Sequence, residues 1–282
     1  MNRRRQVGKA PFLPAISPWN FEKGIARSVQ ILLTNDDGIY APGLAALERE
    51  LQQLGDVCVV APATEQSGVA HSITFLSPLI CKEIYDGDRK RGWAVEGSPA
   101  DCVKIGVFEF LPKPPDLVVS GINGGLNAGI NVLYSGTVAA AIEGAFFGFN
   151  SIAVSLEYNE HAQFDRAAVM ARGVIEQILA HKTAEPQLYN LNIPTAAIAE
   201  PKGMVVAPMG VARYGEHFIK RTDPRGRSYY WATNDPPPQP TSEQTDLTAL
   251  AAGYVTLTPL QFDMTKSSLL TEMQQWNLQL PD

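Results

Sequence analysis

The sequence predicts a doubly wound α/β core with a mostly parallel sheet, extended near its C-terminus by a β-hairpin arm and a final helix. Three observations carry that prediction. Apolar runs of strand length alternate along the chain with segments of helical period. Proline or serine stands where several helices should begin. After about residue 210 the alternation gives way to a turn-centred hairpin pattern and a proline run.

Residues 29–34 (VQILLT) read as the first strand, and residues 42–54 as a helix with Pro42 in its first turn and Leu44, Leu47, Leu51 and Leu54 recurring at helical spacing. Residues 57–61 (VCVVA) supply the next strand. Parallel neighbours need a long connection, so strand, helix and strand in this order make a right-handed crossover. The pattern repeats with a helix at 98–111, Ser98 as its N-cap and Pro99 first, and a buried strand at 116–120 (DLVVS). A helix at 135–148 ends in glycine and precedes a strand at 151–156 (SIAVSL). A long amphipathic helix at 164–181 leads to strands near 188–193 and 204–207. Residues 214–220 and 227–233 flank Asp223-Pro224-Arg225-Gly226 as a hairpin, and residues 236–240 form an extended proline linker. A last strand at 253–259 and a helix at 267–278, packing back, complete the chain. The expected division is a loosely ordered extension at 1–28 and one domain at 29–282, with its core at about 29–209 and its hairpin arm and tail at about 210–282.

Of the 282 residues 45% are hydrophobic and 18% charged, which suits a packed protein long enough to bury a sizeable core. A net charge of −6, with no basic stripe interleaved with aromatics, argues against a stable nucleic-acid partner. A small anionic substrate then needs a metal or a local nest of N–H groups. Cys58, Cys81 and Cys102 are odd in number and widely spaced, which speaks against a disulfide framework or zinc cluster and for a reducing, cytoplasmic compartment. No apolar run reaches membrane-spanning length, so no membrane partner is expected. Arg3, Arg4 and Arg5 hint at a transit peptide, but scarce serine and Pro11, Pro14 and Pro18 favour a plain extension.

Asn35-Asp36-Asp37-Gly38 directly follows the first strand, where open α/β sheets place their ligands. Adjacent carboxylates repel, and Mg²⁺ or Mn²⁺ relieves the repulsion through oxygen ligands; alone, the same residues read equally well as an Asp-Gly turn. Haloacid-dehalogenase-like phosphatases carry a nucleophilic Asp at the position held here by Asn35. An amide cannot form the acyl phosphate, so hydrolysis would use water directly. In Ala61-Pro62-Ala63-Thr64-Glu65-Gln66-Ser67-Gly68, after the second strand, the Ser67 hydroxyl can donate to a phosphate or ligate the metal, although a plain turn explains the pair too. Residues 120–129 hold four glycines with Asn123 and Asn127, a composition for an anion nest with amide oxygens for Mg²⁺, or for a flexible linker. Tyr134-Ser135-Gly136-Thr137-Val138 opens an alanine-rich helix whose N-terminus attracts phosphate, while capping by Ser135 explains it as well. It lacks the lysine and spacing of a Walker loop. Asn35, Asn127, Ser135, Gly136 and Thr137 are the residues expected against the substrate, and His71 reads as a bystander or a donor behind the site.

In this order, ILLTNDDG with APG just after it, VVAPATEQSG, GSPADCV, VVSGINGGLN, YSGTVAAAIEG and GYVTLTPL resemble the survival protein E (SurE) family of 5′/3′-nucleotidases, from about residue 29 to the C-terminal helix. The resemblance implies a Rossmann-like core with a hairpin arm. It further implies one divalent metal ion, Mg²⁺ or Mn²⁺, held by Asp36, Asp37, Ser67 and Asn123, and phosphate hydrolysed from nucleoside 5′- and 3′-monophosphates. A homodimer or homotetramer exchanging C-terminal arms is also implied. Asp36 and Asp37 would then be the catalytic pair, with the phosphate against Gly136 and Thr137. A non-catalytic, metal-dependent nucleotide sensor built on the same residues stays open. A Rossmann-type oxidoreductase is the weaker alternative, because no Gly-X-Gly-X-X-Gly follows the first strand. The extension up to Ser28 precedes the point where chains of the family usually begin.

Overall fold

The computed structural model describes residues 28–181, 185–211, 217–233, 244–276 and 278–280. The N-terminal extension up to residue 27, the start of the predicted hairpin at 214–216 and the proline run at 236–240 lie outside the described residues.

In chain order the strands are β1 (Val29–Thr34), β2 (Gly55–Pro62), β3 (Cys81–Asp86), β4 (Arg89–Val95), β5 (Leu117–Gly124), β6 (Asn150–Leu156), β7 (Leu188–Ile193), β8 (Met204–Val206), β9 (His217–Thr222), β10 (Ser228–Thr233) and β11 (Val255–Leu260). The helices are α1 (Pro42–Leu51), α2 (Pro99–Ile105), α3 (Gly136–Phe146), α4 (Phe164–Ala180), α5 (Thr195–Ala199), α6 (Asp246–Ala251) and α7 (Ser267–Gln274). Nine of the described strands form one sheet in the order β3-β4-β2-β1-β5-β6-β7-β11-β8. Strands from β4 through β7 in that order run parallel, β3 and β11 run antiparallel to β4 and β7, and β8 runs parallel to β11.

Strand alternation sorts the core into two layers. Ile31 and Leu33 of β1 pack with Leu44, Leu47 and Leu51 of α1 and the alanines of α4, whereas Leu32 between them packs with Cys102 and Val103 of α2 and Ala140 of α3. Burial on both faces is why the central strands read as unbroken apolar runs. Small residues let α3 lie close to the sheet, since a Cβ at Gly144 would stand 2.6 Å from Ser151 Oγ and 2.8 Å from the Val118 side chain. The carboxyl ends of β2, β1 and β5 thereby open beside the N-terminus of α3.

Several elements differ from the sequence prediction. The helix expected at 98–111 is regular only to Ile105 and continues as a π-helical turn, Gly106–Phe110. The strand expected at 116–120 runs on to Gly124, with a register shift between Ser120 and Asn123. β3, β4, α5 and α6 were not predicted at all, and the tail strand β11 lies inside the main sheet rather than outside the core. α7 buries no residue, so it does not pack back as expected.

β9 and β10 pair antiparallel as a separate ribbon around the predicted Asp223-to-Gly226 turn. Within the ribbon, pairing sets Arg221 opposite Tyr229 and places Lys220 Nζ 6.0 Å from the Tyr230 ring. No helix among the described residues is long and apolar enough to cross a membrane.

Candidate active site

The turn after β1 is built by Asn35. Its buried amide donates from Nδ2 to the Gly38 carbonyl at 3.0 Å and accepts the Gly38 N–H at 3.2 Å. Gly38 itself sits at φ 100°, where a side chain would be strained. The closed turn aims its two acids in different directions. Asp36, only 4% exposed, faces α3: Oδ1 accepts from Thr137 Oγ1 at 2.5 Å and Oδ2 from the Thr137 N–H at 3.1 Å. Its charge lies at the positive end of that helix. Half-buried Asp37 reaches β5 and accepts the Gly124 N–H through Oδ2 at 3.2 Å. Gly136 makes the close approach of α3 feasible, since a Cβ there would stand 3.0 Å from Asp36 Cβ and 3.1 Å from its Oδ2.

The loop after β2 folds onto the same turn. The Gln66 N–H donates to the Asp36 carbonyl at 2.7 Å, and the Ile39 N–H donates to the Pro62 carbonyl at 2.9 Å. Ser67 is exposed, and its hydroxyl donates to Glu65 Oε1 at 2.6 Å. Glu65 has no role in the sequence-based expectation, yet its charge acts on Asp37. An acid in the loop of the adjacent strand was the available signal. Asn123, at the end of β5, donates from Nδ2 to the Gly125 carbonyl at 2.6 Å, leaving its amide oxygen without a donor among the described residues.

The structure thus brings Asp36, Asp37, Asn123, Gly136, Thr137 and the Ser67 loop to one sheet edge, but it gives some of them protein partners where the sequence suggests substrate. Thr137 is taken up by Asp36, and Asn35 by Gly38. Ser135 caps α3, its hydroxyl accepting the Val138 N–H at 3.1 Å. Asn127 lies in a separate buried amide cluster: its Nδ2 donates to Ser155 Oγ at 2.9 Å, and its carbonyl accepts from Asn190 Nδ2 at 2.7 Å and Asn192 Nδ2 at 3.2 Å. That cluster pins the glycine-rich segment to β6 and β7. The Gly136 N–H remains the helix-terminal donor without a partner among the described residues.

Burial pushes the Asp36 carboxyl up from 3.8 to about 6, with the Thr137 hydroxyl pulling it back and the charge of Asp37 pushing it further. Asp37 is likewise raised by burial, lowered by the Gly124 N–H and raised by Glu65. No Lys, Arg or His is among the groups acting on either acid. Holding Asp36 ionised at neutral pH therefore costs roughly 3 kcal/mol in the absence of a cation. A divalent ion relieves this, and the donor set suits one. Among the described residues no three His, Cys, Asp or Glu side chains cluster for a metal. A cation here would draw on two carboxylates, the Asn123 amide oxygen and the Ser67 hydroxyl, a hard all-oxygen set that fits Mg²⁺ or Mn²⁺.

Known proteins share this architecture. A family model described as Survival protein SurE matches residues 31–216. The 5′-nucleotidase SurE of Rhodopirellula baltica is 60% identical over 251 residues, covering 89% of this chain and 99% of that protein. The 5′-nucleotidase SurE of Heliobacterium modesticaldum is 44% identical over 249 residues, covering 88% of this chain and 92% of that protein. The crystal structure of the SurE protein from Aquifex aeolicus matches with a TM-score of 0.78 at 40% identity, covering 87% of this chain and 98% of that one.

Proposed function

The chain belongs to the survival protein SurE family, and from that membership we propose that it is a 5′-nucleotidase, a phosphomonoesterase releasing phosphate from nucleoside 5′- and 3′-monophosphates with one divalent ion, Mg²⁺ or Mn²⁺. The observation that carries the reading is the pair of buried Asp36 and half-buried Asp37, both raised in pKa without a protein cation, at the mouth of α3. Asp36, Asp37, Asn123 and Ser67 would hold the ion. When bound, it supplies charge neutralisation at the phosphoryl oxygens and acidifies water.

The chain's own groups do the rest. The Gly136 N–H and the positive end of α3 receive phosphoryl oxygens. Thr137 holds Asp36 in place through both of its bonds. Asp37, the more open acid, accepts the proton of the attacking water at Oδ1 as the water oxygen bonds to phosphorus and the ester P–O bond breaks, and it returns that proton to the leaving nucleoside oxygen. Asn35 keeps both acids aimed by closing their turn.

The β9–β10 arm supports a homodimer or homotetramer. A lone two-stranded ribbon is marginal in water, and this one leaves Phe218, Tyr230 and Trp231 exposed. The free thiols of Cys58, Cys81 and Cys102 support residence in a reducing cytoplasm.

Phosphate release from a panel of nucleoside 5′- and 3′-monophosphates tests the reading. Release should vanish in EDTA and return with Mn²⁺ or Mg²⁺. Metal-dependent nucleotide binding without release would instead identify a sensor.

A further inference from the structure

The loop that carries Ser67 is tied on both sides of it. Gln66 donates its N–H to the Asp36 carbonyl at 2.7 Å, and Ala70 donates its N–H to the Tyr134 carbonyl at 3.1 Å, which leaves Ser67, Gly68 and Val69 as an untethered crest among the described residues. His71, which follows Ala70, places Nε2 2.6 Å from Glu143 Oε2. The Glu143 side chain is only 7% exposed, and its other oxygen lies 3.5 Å from Lys104 Nζ. A buried carboxylate on an alanine-rich helix is unfavourable unless it is paired, and this one is paired with Lys104 and with His71 of the Ser67 loop. Glu143 belongs to α3, the helix whose first turn grips Asp36 through Thr137. One rigid helix thus references both the buried acid and the loop that lies beside it.

Resting on the metal-site reading given under Proposed function, we propose that His71 is a positioning residue: it fixes the Ser67 loop on α3 through Glu143 and so sets the spacing of the metal's oxygen donors. Farther along the loop, Ser98 Oγ donates to the Ser72 carbonyl at 2.7 Å and the Thr74 N–H donates to the Asp101 carboxylate at 3.0 Å. Those ties run to α2, so loss of His71 leaves the loop attached at Gln66, Ala70 and α2 but without its side-chain anchor on the body of α3.

The test is calorimetric titration of the full chain with Mn²⁺ alone, beside a melting curve of each variant. His71→Ala should weaken Mn²⁺ binding by about 10-fold to 100-fold. His71→Gln, whose amide nitrogen can stand in for Nε2, should recover most of the affinity. Because His71 acts through the Ser67 loop, adding Ser67→Ala to His71→Ala should cost less than the two single losses combined. Should His71→Ala fail to fold, His71→Asn, too short to span the contact, takes its place. Unchanged affinity in His71→Ala or His71→Asn, a folded His71→Gln that binds no better, or fully additive losses would overturn the proposal while leaving the metal site standing. A folded wild-type chain that binds no Mn²⁺ would overturn the metal site and this proposal together.

Discussion

Two neighbouring loops of the site are built in opposite ways. The turn after β1 is mostly buried and held by three sets of bonds, by Asn35 to Gly38, by Asp36 to Thr137 and by Asp37 to Gly124. The loop after β2 is tied at Gln66 and Ala70 but exposes Ser67 and Gly68, and a Cβ at Gly68 would meet nothing within 4 Å. The difference separates two tasks. The first loop holds charge at an electrostatic cost that a cation would remove, and the second leaves the way in open and, in the proposed site, would add the Ser67 hydroxyl as a ligand.

The strongest way to break the contrast is to titrate the buried half. Asp36 titrates near 6 when folded against 3.8 ordinarily, so the folded state holds the extra proton between those values. The associated stability is fully present below 3.8 and lost as pH rises through about 6. Metal-free protein should therefore lose on the order of 3 kcal/mol from this group across that window. Urea unfolding in EDTA at several pH values measures it, and Asp36→Asn should lack this component of the pH dependence. A smaller effect follows from crowding the same half: Gly136→Ala should push Asp36 out of line and reduce turnover by about 10-fold to 100-fold, read as kcat with the metal saturating. The open half should be the most tolerant. Ser67→Ala should weaken Mn²⁺ binding by about 10-fold, without lowering the melting temperature of the metal-free chain, because Ser67 is exposed and bonds only within its own loop.

The same contrast marks what was legible in the sequence. β1, β5 and β6 declare themselves because they are buried on both faces. β3 and β4 at the sheet edge escape because exposed Lys, Glu and Arg break their apolar pattern, although Asp86-Gly87, with Gly87 at φ 59°, is a hairpin signal. Asp36 and Asp37 are readable from their place after a strand. The grip of Thr137 on Asp36 is not, because it spans 101 residues and no local spacing encodes it. Asn127 is drawn toward the substrate by its glycine-rich surroundings, whereas its real partners, Asn190 and Asn192, stand 63 and 65 residues away. α7 shows a helical period, but the described chain offers it no surface to cover.

In the proposed reaction Asp36 and Asp37, through the cation they would hold, carry out phosphate-ester hydrolysis. The most direct measurement is phosphate release from a nucleoside 5′-monophosphate by Asp36→Asn, with Mn²⁺ present and folding verified. Turnover should fall by on the order of 10³-fold. Near-wild-type release from the folded variant would contradict the account.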